Sequence, residues 1–172
     1  DRRHVPHEQE RRFGNITGTH QLVLELQADD IPFRLQGVID RIDLAADGSG
    51  AHIVDYKSGN TKYTDEKIRQ GRALQTPLYA LALERMGISV RSSRYLLIRK
   101  REESGVLEFE GRVAEDETVQ DALRQVAGFL KAIQAGQFPA IPIEPTKAGR
   151  ACRDGCDLAG ICRVTRYSLQ KK

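Results

Sequence analysis

The sequence has 172 residues, of which 40% are hydrophobic and 30% are charged, a balance that favours a folded globular domain and excludes a disordered chain. It contains no secretory signal and no apolar run long enough to span a bilayer, so we expect a cytoplasmic protein without a membrane partner. The net charge of +3 permits nucleic-acid binding but is weak evidence for it, because a surface of mixed charge gives the same sum.

Alternating apolar residues predict several strands in the first part of the chain. The first is expected near Glu8–Phe13 and the second over His20–Gln27. A turn at Asp29-Asp30 should follow, and then one long strand over Ile31–Leu44. This order predicts an antiparallel meander of three or four strands. Because the chain begins at Asp1 rather than Met, we also expect it to be part of a longer protein.

A β-hairpin is predicted where two β-branched runs, Gly37–Leu44 and His52–Tyr56, flank the tetrad Asp47-Gly48-Ser49-Gly50. Side chains alternate between the two faces of a strand. Asp40 therefore shares a face with Ile42 and Leu44 on the first strand, and Asp55 shares a face with Lys57 on the second.

The expected register brings these charged groups together. If the turn is symmetric and pairs Ala46 with Ala51, Asp40 lies opposite Lys57, and Ile42 lies opposite Asp55. Charges on an apolar face are costly without compensation. A salt bridge between Lys57 and one aspartate would compensate a single carboxylate, whereas two carboxylates beside one amine suit a divalent cation with oxygen ligands.

Helical periodicity begins after this hairpin. One helix is predicted from about Thr64 to Met86, with Thr64 as its N-cap and Gly87 as its C-terminal stop. Pro77 should kink this helix or mark a helix start, because it removes a backbone donor. The remaining predicted elements are two strands and an amphipathic helix: Val90–Arg101, Gly105–Val113 and Glu115–Ala135.

Three motifs in this order resemble the RecB-like branch of the PD-(D/E)XK nuclease superfamily. They are GxxD ending at Asp40, DYKSG beginning at Asp55, and QxxxY formed by Gln75 and Tyr79. The resemblance implies an α/β, restriction-endonuclease-like core with a mixed, mostly antiparallel central sheet flanked by helices. It implies a metal-dependent deoxyribonuclease that acts in DNA end processing, recombination and repair.

The resemblance also assigns roles to individual residues. It implies that Mg2+ or Mn2+ binds to Asp40, Asp55 and the carbonyl of Tyr56, and that Lys57 orients or deprotonates the attacking water. Gln75 and Tyr79 would hold the DNA strand in line. Relatives carry a further His or Glu ligand upstream, for which Glu10 is a candidate, although a surface charge explains Glu10 as well. The candidate phosphate contacts are Arg41, Lys62, Arg69 and Arg72.

The three cysteines, Cys152, Cys156 and Cys162, lie in one segment with the spacing C-x3-C-x5-C. An odd number of clustered thiols favours zinc or an iron–sulfur cluster, or free thiols, over a disulfide framework. In AddB-type and CRISPR-adaptation nucleases, three such cysteines and a fourth upstream hold a [4Fe–4S] cluster. The resemblance therefore implies one of two outcomes: a cluster in the full-length parent, with its fourth cysteine upstream of Asp1, or loss of the cluster in this protein.

These expectations divide the chain into a nuclease core, residues 1–147, and a C-terminal cysteine segment, residues 148–172. The expected substrate is single-stranded DNA or duplex ends, and a helicase domain or subunit is the expected partner. The alternative is a catalytically inactive DNA-binding or scaffold domain that keeps the nuclease fold. Intact Asp40, Asp55 and Lys57 argue against that alternative, whereas the missing upstream ligand argues partly for it.

Overall fold

The computed structural model describes residues 4–14, 24–28, 30–59 and 61–138. Within these ranges the strands are β1 (His4–Phe13), β2 (Leu24–Ala28), β3 (Ile31–Leu35), β4 (Gly37–Ala45), β5 (Ala51–Lys57), β6 (Val90–Leu97) and β7 (Glu102–Glu108). The helices are α1 (Asp65–Arg69), α2 (Gln75–Arg85) and α3 (Glu117–Gln134), and a short 3-10 helix covers Val113–Glu115.

Five strands form one mixed sheet in the order β1-β4-β5-β6-β7. Strands β5 and β6 are parallel, and the other neighbours in this sheet are antiparallel. Together with the helices, this confirms the predicted α/β architecture with a mostly antiparallel central sheet. The buried apolar residues of β4, β5 and α2 contribute to a common core.

The predicted meander is wrong in two respects. Strand β1 pairs with β4 rather than with β2, and β2 and β3 form a separate two-stranded sheet. The long strand predicted over Ile31–Leu44 is broken at Gln36, between β3 and β4. Gly14 lies against the backbone beside this break. A Cβ built on Gly14 would lie only 2.6 Å from Leu35 O.

The single helix predicted from Thr64 to Met86 is in fact two helices. Thr64 caps α1 as expected, since its Oγ1 accepts a hydrogen bond from Lys67 N. The chain then turns at Gly71, with φ of 73°, before α2 begins. Pro77 lies in the first turn of α2, where a backbone N–H has no intrahelical partner, so the helix tolerates it without a kink.

The two glycines predicted to end helices do so with left-handed backbone. Gly87 has φ of 83°, and its N–H and that of Ile88 close on the carbonyls of Glu84 and Leu83, an arrangement that terminates α2. Gly136 follows α3 with φ of 65°. Helix α3 begins two residues later than predicted, because the 3-10 helix occupies the chain up to Glu115.

The chain divides into two compact units, Asp1–Lys131 and Ala132–Lys172. The first unit contains the five-stranded sheet and the helices α1 and α2. The three cysteines belong to the second unit and lie outside the described residues. Of the helices that the structure describes, none combines the length and the apolar character that crossing a bilayer would require.

Candidate active site

The hairpin formed by β4 and β5 brings the predicted charged residues onto one face, but in a different register from the one expected. Ile42 pairs with Ile53 and Leu44 with Ala51, so the prediction of Asp40 opposite Lys57 and Ile42 opposite Asp55 is wrong. The turn closes between Ala45 and Gly50, which shifts the pairing by two residues. A shift of two keeps every side chain on its face.

Asp40 lies just beyond the last pair of this ladder, next to the end of β5. Its Oδ2 accepts a hydrogen bond from Tyr56 N at 2.8 Å. In an extended strand, the N–H and C=O of one residue point to the same side. The carbonyl of Tyr56 therefore also faces the Asp40 side, which brings this carbonyl close to the predicted carboxylate ligand.

Asp55 is the most buried of the charged side chains at this site, with 2% of its surface exposed. Its Oδ2 lies 2.6 Å from Lys57 Nζ. Apart from this ion pair, the buried oxygen has no hydrogen-bond partner among the described residues, so it keeps its capacity to accept a second partner. Burial raises the pKa of Asp55; the ion pair with Lys57 opposes this rise, whereas the nearby charge of Asp40 adds to it. Burial of the charged carboxylate costs free energy, and a cation bound to Asp55 would reduce that cost.

These oxygens fit a divalent cation. Mg2+ is commonly held by one or two carboxylates together with water and substrate phosphates rather than by a complete protein cage. Asp40, Asp55 and the Tyr56 carbonyl supply that kind of donor set. In the described ranges, no group of three or more His, Cys, Asp or Glu side chains could hold a metal ion, so Glu10 is not gathered with Asp40 and Asp55. Glu10 lies on the exposed part of β1 with φ of 51°.

Lys57 connects β5 to the QxxxY motif on α2. Its Nζ donates to Gln75 Oε1 at 2.5 Å, and Gln75 Nε2 donates to Tyr79 Oη at 3.3 Å. Tyr79 in turn packs edge-to-face against Phe13, with ring centroids 5.5 Å apart. Gln75 therefore contacts the amine of Lys57 from α2, and Tyr79 contacts Gln75 from the same helix. The predicted role of these two residues in aligning DNA remains a prediction.

The environment of Lys57 favours its charged form. Burial by itself lowers the pKa of this amine, but the contact with the Asp55 carboxylate outweighs burial, and the resulting pKa lies above the ordinary value. Lys57 is therefore an ammonium group at neutral pH. A positively charged amine suits an orienting and charge-stabilising role, and the removal of a proton from water remains a prediction.

The sequence did not point to two aromatic residues beside Lys57. Its Nζ lies 5.4 Å from the ring centroid of Tyr95, and Tyr63 stacks on Tyr95 with centroids 4.1 Å apart. Ser104 fixes the Tyr63 backbone, since its Oγ accepts from Tyr63 N at 2.8 Å and donates to Tyr63 O at 2.7 Å. A cation over an aromatic face is stabilised by the ring quadrupole.

The cations expected to contact phosphates also make interactions within the protein. Arg41 donates to both oxygens of Asp43, at 2.6 and 2.8 Å. Lys62 lies 3.7 Å from Glu102. Arg69 bonds to Asp121 and thereby joins α1 to α3. Arg72 is exposed and also has an interaction within the protein.

Comparison with known proteins agrees with this geometry. The sequence matches the profile of the PD-(D/E)XK nuclease superfamily over residues 1–163. Members of this superfamily are usually nucleases that depend on divalent metal ions such as Mg2+. The matched region includes the whole five-stranded sheet and every motif residue described above. The chain belongs to the PD-(D/E)XK nuclease superfamily.

Proposed function

We propose that this chain is a metal-dependent DNA exonuclease of the RecB/AddB type, which hydrolyses phosphodiester bonds at single-stranded or duplex ends. The observation that carries the proposal is the convergence of two carboxylates, Asp40 and Asp55, with the Lys57 amine, which Gln75 holds in place. Membership of a nuclease superfamily supports the same reaction class.

Each residue has a distinct task in this proposal. Mg2+ or Mn2+, held by Asp40, Asp55 and the Tyr56 carbonyl, would polarise the scissile phosphate and lower the pKa of the attacking water. The Lys57 ammonium donates a hydrogen bond to that water or to a phosphate oxygen, and it offsets the negative charge that develops on the phosphate. Gln75 restricts the amine to this position. The expected product carries a 5′-phosphate.

The proposal also covers the biological setting of the reaction. Resemblance of the motifs to RecB-like nucleases supports a role in DNA end processing, recombination and repair, as the nuclease part of a larger helicase–nuclease. Cys152, Cys156 and Cys162 would hold a [4Fe–4S] cluster with a fourth cysteine in the full-length parent. We therefore propose a nuclease core over residues 1–147 and a cysteine segment over residues 148–172.

One observation favours the alternative of an inactive DNA-binding or scaffold domain. In the part of the chain that the structure describes, only two carboxylates converge at the site, and no third His, Cys, Asp or Glu joins them. Such a domain would bind DNA with or without divalent metal and would cleave it in neither case.

The deciding experiment measures cleavage of end-labelled single-stranded DNA with Mg2+, with Mn2+ and with EDTA. We expect cleavage in the presence of either metal, none in EDTA, and a loss of at least about a hundredfold in Lys57→Ala. Equal cleavage by Lys57→Ala and wild type would contradict the assigned site. Binding without cleavage in every metal, repeated with the full-length parent, would establish the inactive scaffold instead.

The Tyr95 ring offers a second prediction at this site. Tyr95→Phe keeps an aromatic face under Lys57 and should cleave DNA at close to the wild-type rate. Tyr95→Leu removes the face and is expected to lower kcat about tenfold with an unchanged KM for DNA, since a cation–π contact is worth about 1–2 kcal/mol when partly desolvated. Steady-state kinetics at several DNA concentrations measure both constants. Equal kcat values for the two variants would show that the ring only fills space.

A further inference from the structure

The turn that joins β6 to β7, Ile98–Arg101, lies at the same edge of the sheet as the candidate active site. Because β5 and β6 are parallel, their C-terminal residues, Lys57 and Leu97, lie side by side. Ile98 N donates to Lys57 O at 3.0 Å, and Lys100 N and Arg101 N close the turn on the carbonyls of Leu97 and Ile98. The backbone of this turn is thereby fixed to the residue that carries the candidate catalytic amine.

This segment, which we call the basic turn, presents three consecutive exposed cations, Arg99–Arg101. The two carboxylates that follow it contact cations outside the turn: Glu102 lies 3.7 Å from Lys62, and Glu103 lies 3.2 Å from Arg94. Lys100 has an interaction within the protein, and the positive charges of Arg99 and Arg101 on either side of it are exposed to solvent. A surface of this kind attracts phosphate groups.

Arg101 adopts a backbone conformation that does not suit arginine. Its φ is 55°, in the left-handed region that glycine or asparagine occupies at lower cost. Stability alone would therefore favour one of those residues at this position. Strained residues often occur at functional sites, so a strained arginine at this exposed turn suggests that its side chain has a role.

We propose that the basic turn binds the phosphate backbone of the DNA strand on which the active site acts. The inference rests on the proposed nuclease function and deepens it. Arg99 lies two residues beyond Leu97, which places its Cα within about 10 Å of Lys57, or about three nucleotides of a stacked strand. Guanidinium groups bind phosphate through two parallel hydrogen bonds. The turn holds the strand beside Lys57 and does not read its bases.

The test measures binding of a short fluorescent single-stranded oligonucleotide to the full chain by anisotropy, in EDTA and over a series of KCl concentrations. The variants are Arg99→Gln and Arg101→Gly, and the matched control is Arg85→Gln. Arg85 is exposed at the far end of α2, about 15 Å along the helix from Gln75.

Each turn variant is expected to weaken binding about threefold to tenfold and to lower the slope of log Kd against log salt by about 0.7, equally for oligonucleotides of different sequence. Arg85→Gln should leave both quantities unchanged. Arg101→Gly should melt at the wild-type temperature or higher, because glycine relieves the left-handed backbone. This combination of lower affinity with undiminished stability separates a contact to DNA from a structural role.

Two results would overturn the inference and are distinguishable from failure of the proposed function. If wild type binds and cleaves DNA while the turn variants keep the affinity and the salt slope of Arg85→Gln, the turn does not contact the backbone. A loss confined to one oligonucleotide sequence would show base recognition instead. If wild type neither binds nor cleaves DNA, the proposed nuclease function itself fails, and the inference fails with it.

Discussion

Asp55→Asn is expected to slow the cleavage of DNA strongly and to abolish the stabilisation of the protein by divalent metal. Asparagine keeps the size of the side chain but removes the buried charge that a cation would neutralise. Wild type should gain about 2.7 kcal/mol of stability at a metal concentration one hundred times Kd. For a chain of this size, that gain corresponds to a rise in Tm of about 5–10 °C. Melting curves with and without MnCl2 measure the effect, and the rate of cleavage should fall about a thousandfold.

A matched control lies on the same hairpin. Asp43 is also 2% exposed, but its carboxylate accepts two hydrogen bonds from Arg41. Asp43→Asn should therefore lower Tm without metal, because it leaves the Arg41 guanidinium poorly paired. It should keep both the response to MnCl2 and the cleavage of DNA. A metal-induced rise in Tm as large in Asp55→Asn as in wild type would place the metal elsewhere.

Gly37→Ala is expected to destabilise the protein and to slow cleavage, although alanine is normally the better residue in a strand. A Cβ at this position would lie 2.9 Å from Phe13 Cζ and 3.1 Å from Tyr79 Cε1. Phe13 is buried, so relieving the overlap should cost about 1–3 kcal/mol, or about 3–10 °C in Tm. Displacement of Tyr79 should also disturb Gln75 and lower the rate of cleavage about tenfold.

Gly111→Ala serves as the control, because no atom lies within 4 Å of a Cβ built at Gly111. This variant should melt within about 1 °C of wild type or slightly higher, since alanine restricts the unfolded chain. Thermal melts and single-turnover cleavage compare the two glycine variants directly. Equal Tm values and equal rates would show that the Phe13–Tyr79 pair can move aside, and that the glycine of the GxxD motif has no steric role.

The parts of the fold that were predictable follow from local rules. Alternation placed Asp40, Asp55 and Lys57 on one face, and this survived a wrong register because the shift was by two residues. Spacing of four residues on a helix placed Gln75 and Tyr79 on one side of α2, where they contact each other and Gln75 contacts Lys57. Helix ends at Thr64 and Gly87 followed from capping chemistry.

The parts that were missed depend on contacts between distant segments. Nothing local indicates that β1 pairs with β4 rather than β2, because several strands have similar alternation. Tyr63 and Tyr95 are 32 positions apart and meet only because β6 lies parallel to β5. The one available signal was a tyrosine in a strand otherwise rich in small and aliphatic residues. Turn geometry also decided the hairpin register, and four small or polar turn residues fit more than one closure.

Strand β1 is one edge of the five-stranded sheet that the structure describes, and its backbone is irregular. This edge strand contains Pro6, which has no backbone donor, a register shift between Pro6 and Glu8, and a left-handed residue at Glu10. A further strand could not form a continuous ladder along such an edge, and the charges of Glu8 and Arg12 would oppose close packing there. The irregularities that give β1 an imperfect pairing with β4 therefore oppose edge-to-edge pairing of two copies along β1.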